Sequence, residues 1–385
     1  MSPNFTDLLH LLKYSLPKLN EGPSPDGGSW AVGRESRRTQ FCIATAGASG
    51  ATSEQRRRCK YNNIKWRSKS AVFGATGAQG GSVVDTFLKE AKLSSEWTVR
   101  AVTRDVTSNR AQALTSQGVQ VVAADLNDKA SLLAAVTGAS AVFAMTTTGN
   151  TDWDQQDIEL ELRHGKALAD VAKEAGVTQY IWSSLPYAEK LTGGKLTHVY
   201  NFDTKARIED YIRSIGIPAA FFLPGSFMTN YSAGLLQPSP ANNGAYAISL
   251  PFAGDRPIAL YDTADTGKFI KAAILHWDDV VGKHLLGTSG HVTGDQMIAT
   301  FQKVFPIAGE GASWQKVAPE TWAGYIEGPG KMREVMVDNM RLIAEYGYFI
   351  GESYHLTRRV LEDDLTTWEQ HLRKSSALRH LQQSD

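Results

Sequence analysis

From Ser70 onward the chain alternates short apolar, β-branched runs with segments whose apolar residues recur at helical spacing. SAVFGATG ends in glycines and leads into the helical SVVDTFLKEA. TVRAVTR, the helix-like SNRAQALTSQ, VQVVAAD, the helix-like KASLLAAV and SAVFAMTT follow in order. DIELELRHGKALADVAKEA then leads into QYIWSS, and KARIEDYIRS into PAAFFLPGSF. Apolar strands separated by amphipathic helices predict βαβ units and a parallel sheet covered on both faces. Right-handed crossovers make this an α/β fold with a doubly wound parallel sheet. After about Met228 the alternation fails. Mixed strands and helices there predict a smaller C-terminal α+β lobe, covering the open end of the sheet and binding substrate. The expected boundaries are 68–228 for the sheet domain and 229–385 for the lobe.

Residues 1–67 have another texture, rich in Gly, Ser, Arg and Pro and without a sustained period, which predicts a disordered extension. The net charge of zero hides an uneven distribution: residues 1–70 hold twelve Lys and Arg against five Asp and Glu. The body is therefore mildly acidic, without the positive excess that grips a polyanion, and no direct nucleic-acid binding is expected. Both cysteines, Cys42 and Cys59, fall in the extension, so no disulfide framework holds the body and a reducing compartment fits. No apolar run is long enough to span a bilayer, and the N-terminus lacks the pattern of a secretory signal. A cytoplasmic protein is expected, with nuclear import or organelle targeting as further readings of the basic extension.

The chemistry begins at GATGAQGG, Gly74 to Gly81, directly after the first strand. One glycine of the series Gly74, Gly77, Gly80 permits the tight strand-to-helix turn. The next lets backbone amides approach a pyrophosphate, and the third lets the helix pack close to the sheet. The helix N-terminus adds orphan N–H groups for the anion. On the first crossover of a doubly wound pattern, Gly74, Ala75, Thr76, Gly77, Ala78, Gln79 and Gly80 predict a dinucleotide site. The second strand ends in Arg104, whose planar fork suits the 2′-phosphate of NADP(H). Asp105 is either the acidic marker of an NAD site or, the favoured reading, a cap of the next helix. Ser108 and Arg110 are further candidate phosphate donors. Asp125 and Leu126 end the third strand, where adenine would lie, with a helix cap as the alternative for Asp125. Thr146, Thr147 and Thr148 close the fourth strand on the ribose side. The histidines show no metal spacing, and neither a nucleophile elbow nor a Walker A loop occurs.

With these residues in hand, the chain resembles the NmrA-like family, an atypical branch of the short-chain dehydrogenases/reductases with a Rossmann fold. The carrying segments are VFGATGAQGGSV, AVTRD, VVAADLND, YIWSSL, NFDTKARIEDYIRSIGIP and LPGSFMTNY, spread from about Ala71 to about Leu372. The family includes redox sensors, transcriptional co-regulators and oxidoreductases, so membership fixes the fold and leaves the activity open. The resemblance implies that Arg104, Asp105, Val106, Thr107 and Ser108 form the 2′-phosphate segment, that Lys205 contacts the cofactor and that Phe227, Met228, Thr229 and Asn230 lie by the nicotinamide. It also places a basic residue of the long helix, here Arg163, at the site.

In orthodox members a tyrosine and a lysine four residues apart share one helix face, and the lysine lowers the phenol's pKa for proton transfer. A serine at the end of the fifth strand, here Ser184 beside Ser183, stabilises the oxyanion. This chain has Asn201 in the tyrosine's place. Tyr200 would point about 140° away from Lys205 in a continuous helix. Two functions follow. In the first, an NADP(H)-dependent reductase acts on a small carbonyl, enone or quinone-type metabolite, as in secondary metabolism. Lys205, or a tyrosine such as Tyr187 or Tyr231, then handles the proton. In the second, a non-catalytic domain senses the NADP+/NADPH ratio and acts through a regulatory protein partner.

Overall fold

A computed structural model gives the fold, describing residues 68–147, 155–326, 328 and 331–381. Residues 1–67, with both cysteines, and Thr148 lie outside the described residues. Among the described residues no helix is long and apolar enough to cross a membrane.

Seven parallel strands form the main sheet in the order β3-β2-β1-β4-β5-β6-β11. They are β1 Ser68–Phe73, β2 Trp97–Thr103, β3 Gln120–Ala123, β4 Ala141–Ala144, β5 Gln179–Ser183, β6 Ala219–Pro224 and β11 His284–Gly287. Strand order reverses between β1 and β4, and a ligand crevice opens at that point, outside the carboxyl ends of the strands. Alternate residues serve opposite faces. Val142, Ala144, Tyr180 and Trp182 join one buried cluster, while Ala141, Phe143 and Ile181 join the other.

The helices that cover the sheet are α1 Ala78–Lys89, α2 Asn109–Ser116, α3 Lys129–Val136, α4 Gln155–Glu174, α5 Tyr200–Ile215 and α6 Thr266–Leu275. The helix α6 and strand β11 both come from beyond residue 228, so the expected division there does not separate all of the sheet from the lobe. The physical reason is close packing. A Cβ on Gly267 of α6 would meet Thr86 Oγ1 and Ser82 O of α1, and Gly267 N donates to Ser82 Oγ at 3.0 Å. Ser82 Oγ in turn donates to the carbonyl of Ala264 at 2.5 Å.

The remaining chain from Ser226 onward builds the smaller lobe on two three-stranded sheets. One pairs β7 Ser226–Phe227, β10 Pro257–Tyr261 and β12 Gly290–Thr293. The other pairs β8 Leu236–Pro238, β9 Tyr246–Leu250 and β13 Ser313–Lys316. The helices α7 Gly294–Val304, α8 Met332–Arg341 and α10 Trp368–Lys374 complete it, while α9 His355–Val360 packs on β11 of the main sheet, where Thr357 Oγ1 accepts from Leu286 N at 2.8 Å. Capping boxes at Thr293/Gln296 and Thr367/Gln370 satisfy the first amides of α7 and α10. The lobe core gathers Met228, Ile248, Phe301, Trp322 and Trp368.

Candidate functional site

Gly74 follows β1 with φ of +65°, a conformation that suits glycine, and Gly77 N closes the turn on Gly74 O at 2.8 Å. A Cβ on Gly80 would meet the carbonyl oxygens of Gly74 and Phe73, so this position holds α1 against the strand end. Gly77 is the N-cap and gives no side-chain hydrogen bond, which leaves the first amides of α1 open to an anion. Gly74, Gly77 and Ala78 are exposed, whereas Ala75, Gln79 and Gly80 are buried. Gln79 Oε1 accepts from Ser183 Oγ at 3.1 Å, so its side chain reaches from α1 to the end of β5. Arg110 Nη1 donates to Thr76 O at 2.8 Å and braces the turn from outside.

Arg104 stands exposed after β2 with no hydrogen bond or ion pair among the described residues. Asp105 does not cap the next helix. Ser108 does, accepting from Ala111 N at 3.4 Å. Asp105 Oδ1 instead takes Thr107 N at 2.7 Å and Thr107 Oγ1 at 2.6 Å, and those hydrogen bonds hold its carboxyl below the ordinary range. An acid closed into its own turn leaves Arg104 as the open charged side chain at this strand end, with Val106 exposed beside it. Arg104→Ala is expected to weaken NADPH binding about 10- to 30-fold and NADH binding less than about threefold, read by calorimetry.

At the next strand end Asp128 caps α3, accepting from Ala130 N at 2.9 Å, so Asp125 is not the cap either. Asp125 Oδ1 accepts from Asn127 N at 2.8 Å in a turn of its own, and Leu126 packs half-buried on the core. Past β4, Thr147 is exposed and Thr146 is buried.

Thr146 belongs to the main polar cluster of the site. Lys205 Nζ donates to Thr146 O at 2.9 Å, to Thr146 Oγ1 at 3.2 Å and to Glu161 Oε1 at 2.7 Å. Thr146 Oγ1 donates to the same Glu161 oxygen at 2.6 Å. The side chains of Glu161 and Lys205 are only 2% and 14% exposed. Two helices bring them together. Gly165 of α4 has no side chain where Ile208 of α5 packs, since a Cβ there would lie 2.5 Å from Ile208 Cδ1. Glu161 precedes Gly165 by one turn and Lys205 precedes Ile208 by nearly one, so the close crossing sets acid against base. Arg163, two residues on, is exposed on another face of α4 and does not join the cluster. Sequence reasoning missed Glu161. Its signal was an acid in phase with Ile158, Gly165 and Leu168, on the face that packs inward.

The expected oxyanion serine is turned elsewhere. Ser184 is fully buried, and its Oγ donates to Glu209 Oε2 at 2.6 Å. Glu209 also accepts from Arg213 Nε at 2.9 Å and from His284 Nε2 at 2.7 Å, while His284 Nδ1 lies 2.7 Å from Glu352. The tyrosines are engaged too. Tyr200 opens α5, and its OH accepts from Lys331 Nζ at 3.3 Å. Tyr187 OH accepts from Arg207 Nε at 3.2 Å. Tyr231 OH lies 3.0 Å from Ser226 Oγ, and burial pushes this phenol up to about 12. Asn201 pairs with Asn339 of α8 at 3.3 and 3.4 Å. Phe227 meets Tyr261 in a tilted ring contact with centroids 5.7 Å apart and packs, like Met145, against the cluster holding Ala75; Met228 is buried, and Thr229 and Asn230 are exposed.

A glycine turn at the switch point of a doubly wound sheet defines an α/β fold of the dinucleotide-binding type. The NmrA-like family pattern matches residues 67–372, and the chain belongs to that family. The NmrA-like family domain-containing oxidoreductase FrzB of a Cladobotryum species is 29% identical over 279 residues, 69% of this chain and 81% of that relative. Among solved structures, the negative transcriptional regulator NmrA in complex with NADP has a TM-score of 0.65 at 22% identity, covering 80% of this chain and 95% of that one. The same regulator in complex with NAD gives 0.66 at 21% identity, over 83% and 98%.

Proposed function

We propose that this protein is an NADP(H)-dependent oxidoreductase acting on a small electrophilic metabolite, with carbonyl, enone and quinone types as its starting classes. The observation that carries this is the buried Thr146–Glu161–Lys205 cluster beside a glycine turn shaped for a pyrophosphate. The open first amides of α1 and the turn Gly74 to Gly80 would hold the pyrophosphate, and Arg104 the 2′-phosphate. The bound nicotinamide would supply or accept hydride. Lys205, held by Glu161 and Thr146, orients the ribose half and the acceptor. Oxidoreductases among the relatives and NADP in a structural neighbour support this reading.

Following NADPH oxidation with a panel of acceptors tests it. Wild type is expected to turn over at least one class, and Lys205→Ala to lower kcat/KM about 30- to 100-fold through lost positioning. One observation favours a second reading, a cofactor sensor with a protein partner. Asn201, in the place of a proton donor, is locked to Asn339 and so links the cofactor side to the lobe. Tight NADPH binding without turnover over the whole panel would favour that sensor.

A further inference from the structure

The sulfur of Met145 lies against the turn shaped for the pyrophosphate. Val72 of β1 pairs with Phe143 of β4, so two residues on, past both strand ends, Gly74 and Met145 come level. A Cβ on Gly74 would stand 3.0 Å from Met145 Sδ and 3.5 Å from its Cγ, so the thioether fills the space that the glycine leaves. Strand order reverses at this point and the crevice opens there. Gly74 is exposed and Met145 is half-buried. Met145 also packs against the apolar cluster that holds Ala75, Phe143 and Tyr261. Thr146, the next residue, is buried and its carbonyl accepts from Lys205 at 2.9 Å, which fixes the backbone beside Met145. A change at the sulfur therefore falls on the turn. Elsewhere among the described residues Met228, Met297 and Met332 are buried, and Met336 and Met340 are half-buried in the lobe. Met145 is thus the partly open methionine at the dinucleotide crevice.

We propose that Met145 is an oxidation site through which a peroxide switches off dinucleotide binding. Such a site needs only the dinucleotide turn, so it serves a reductase or a sensor alike and goes beyond both readings. A sulfur lone pair attacks one peroxide oxygen, and an S–O bond forms as the O–O bond breaks. The hydroxide that leaves takes the proton from the oxygen now on sulfur, giving water. Sulfur is oxidised to the sulfoxide and the peroxide is reduced. The new oxygen makes an apolar side chain polar, and it has three places to go. Turned toward the apolar cluster, it is buried without water, which is unfavourable. Turned toward Gly74, it presses on the turn. Swung outward, it enters the crevice where the pyrophosphate belongs. The last two displace the dinucleotide.

The full chain is treated with hydrogen peroxide, the peroxide is removed, and each methionine is followed by peptide mass. Calorimetry then gives the NADPH affinity. Conversion of Met145 is expected to lower that affinity at least ~10-fold, and methionine sulfoxide reductases to restore it. Met145→Leu, which conserves volume, should bind NADPH within about threefold of wild type and keep that affinity after the same treatment. NADPH bound beforehand should slow conversion of Met145 at least about threefold and leave Met336 unaffected. Full affinity in wild type with Met145 converted overturns the proposal even if the variant fails to fold. So does a Met145 that stays unoxidised while Met336 and Met340 convert, a conversion that NADPH does not slow, or an equal loss in Met145→Leu. Failure of NADPH to bind the untreated protein overturns the dinucleotide site itself, which separates the two.

Discussion

Glu209→Ala is expected to destabilise the protein by about 3–5 kcal/mol, read by urea unfolding, because it removes one partner of a buried ionic network. The Glu209 side chain is 8% exposed and faces two cationic groups, Arg213 and His284. Burial alone would raise the carboxyl, but hydrogen bonds from His284, Ser184 and Arg213 outweigh it and hold it below its ordinary value. Burial likewise opposes the His284 charge, yet Glu209 and Glu352 raise it to about 9. The two shifts describe one interaction and do not add. A histidine raised from 6.5 to about 9 contributes stability that is full below 6.5 and lost as pH rises through 9. A depressed carboxyl contributes stability that is lost as pH falls. Wild-type unfolding free energy should therefore fall on both sides of neutrality. In Glu209→Ala the alkaline fall should shrink, since His284 keeps only Glu352. A variant within about 0.5 kcal/mol of wild type would show that the network adds nothing net.

The second large effect belongs to Gly80→Ala. One added methyl meets the carbonyl oxygens of Gly74 and Phe73, which are backbone atoms with no rotamer to move. The turn must shift away from α1, and the open amides shift with it. NADPH affinity is expected to fall about 1000-fold, equivalent to about 4 kcal/mol, with the melting temperature lowered as well. Gly77→Ala is the control. There the nearest approach is Gly74 O at 3.2 Å, and a smaller loss is expected. Equal binding by Gly80→Ala and wild type would refute the cradle.

The sheet was legible because its strands are apolar on both faces and each is followed by a helical period, so even the strand-to-helix turn at Gly74 could be placed. Arg104 was legible for the same reason, since a strand end fixes where its next residue stands. Four features were not. Asp105 and Asp125 each have a second capping residue three positions on, Ser108 and Asp128, and composition alone does not choose between them. The phase of α4 decided between Glu161 and Arg163, which stand about 200° apart. That phase depends on Gly165 meeting Ile208, a contact between distant segments. Ser184 was placed at the right strand end, but its direction depends on Glu209, Arg213 and His284. Strand β11 is four residues long, too short to announce that the chain rejoins the main sheet.

That return has a lasting consequence for how this protein is inherited. The glycine of α6 sits against the nucleotide helix some 185 residues after Ser82, and β11 supplies the last rung of the sheet. The half that grips the dinucleotide is therefore not a cassette that gene fusion could lift out at residue 228. Any change in the lobe must leave α6 and β11 able to come home to the same scaffold.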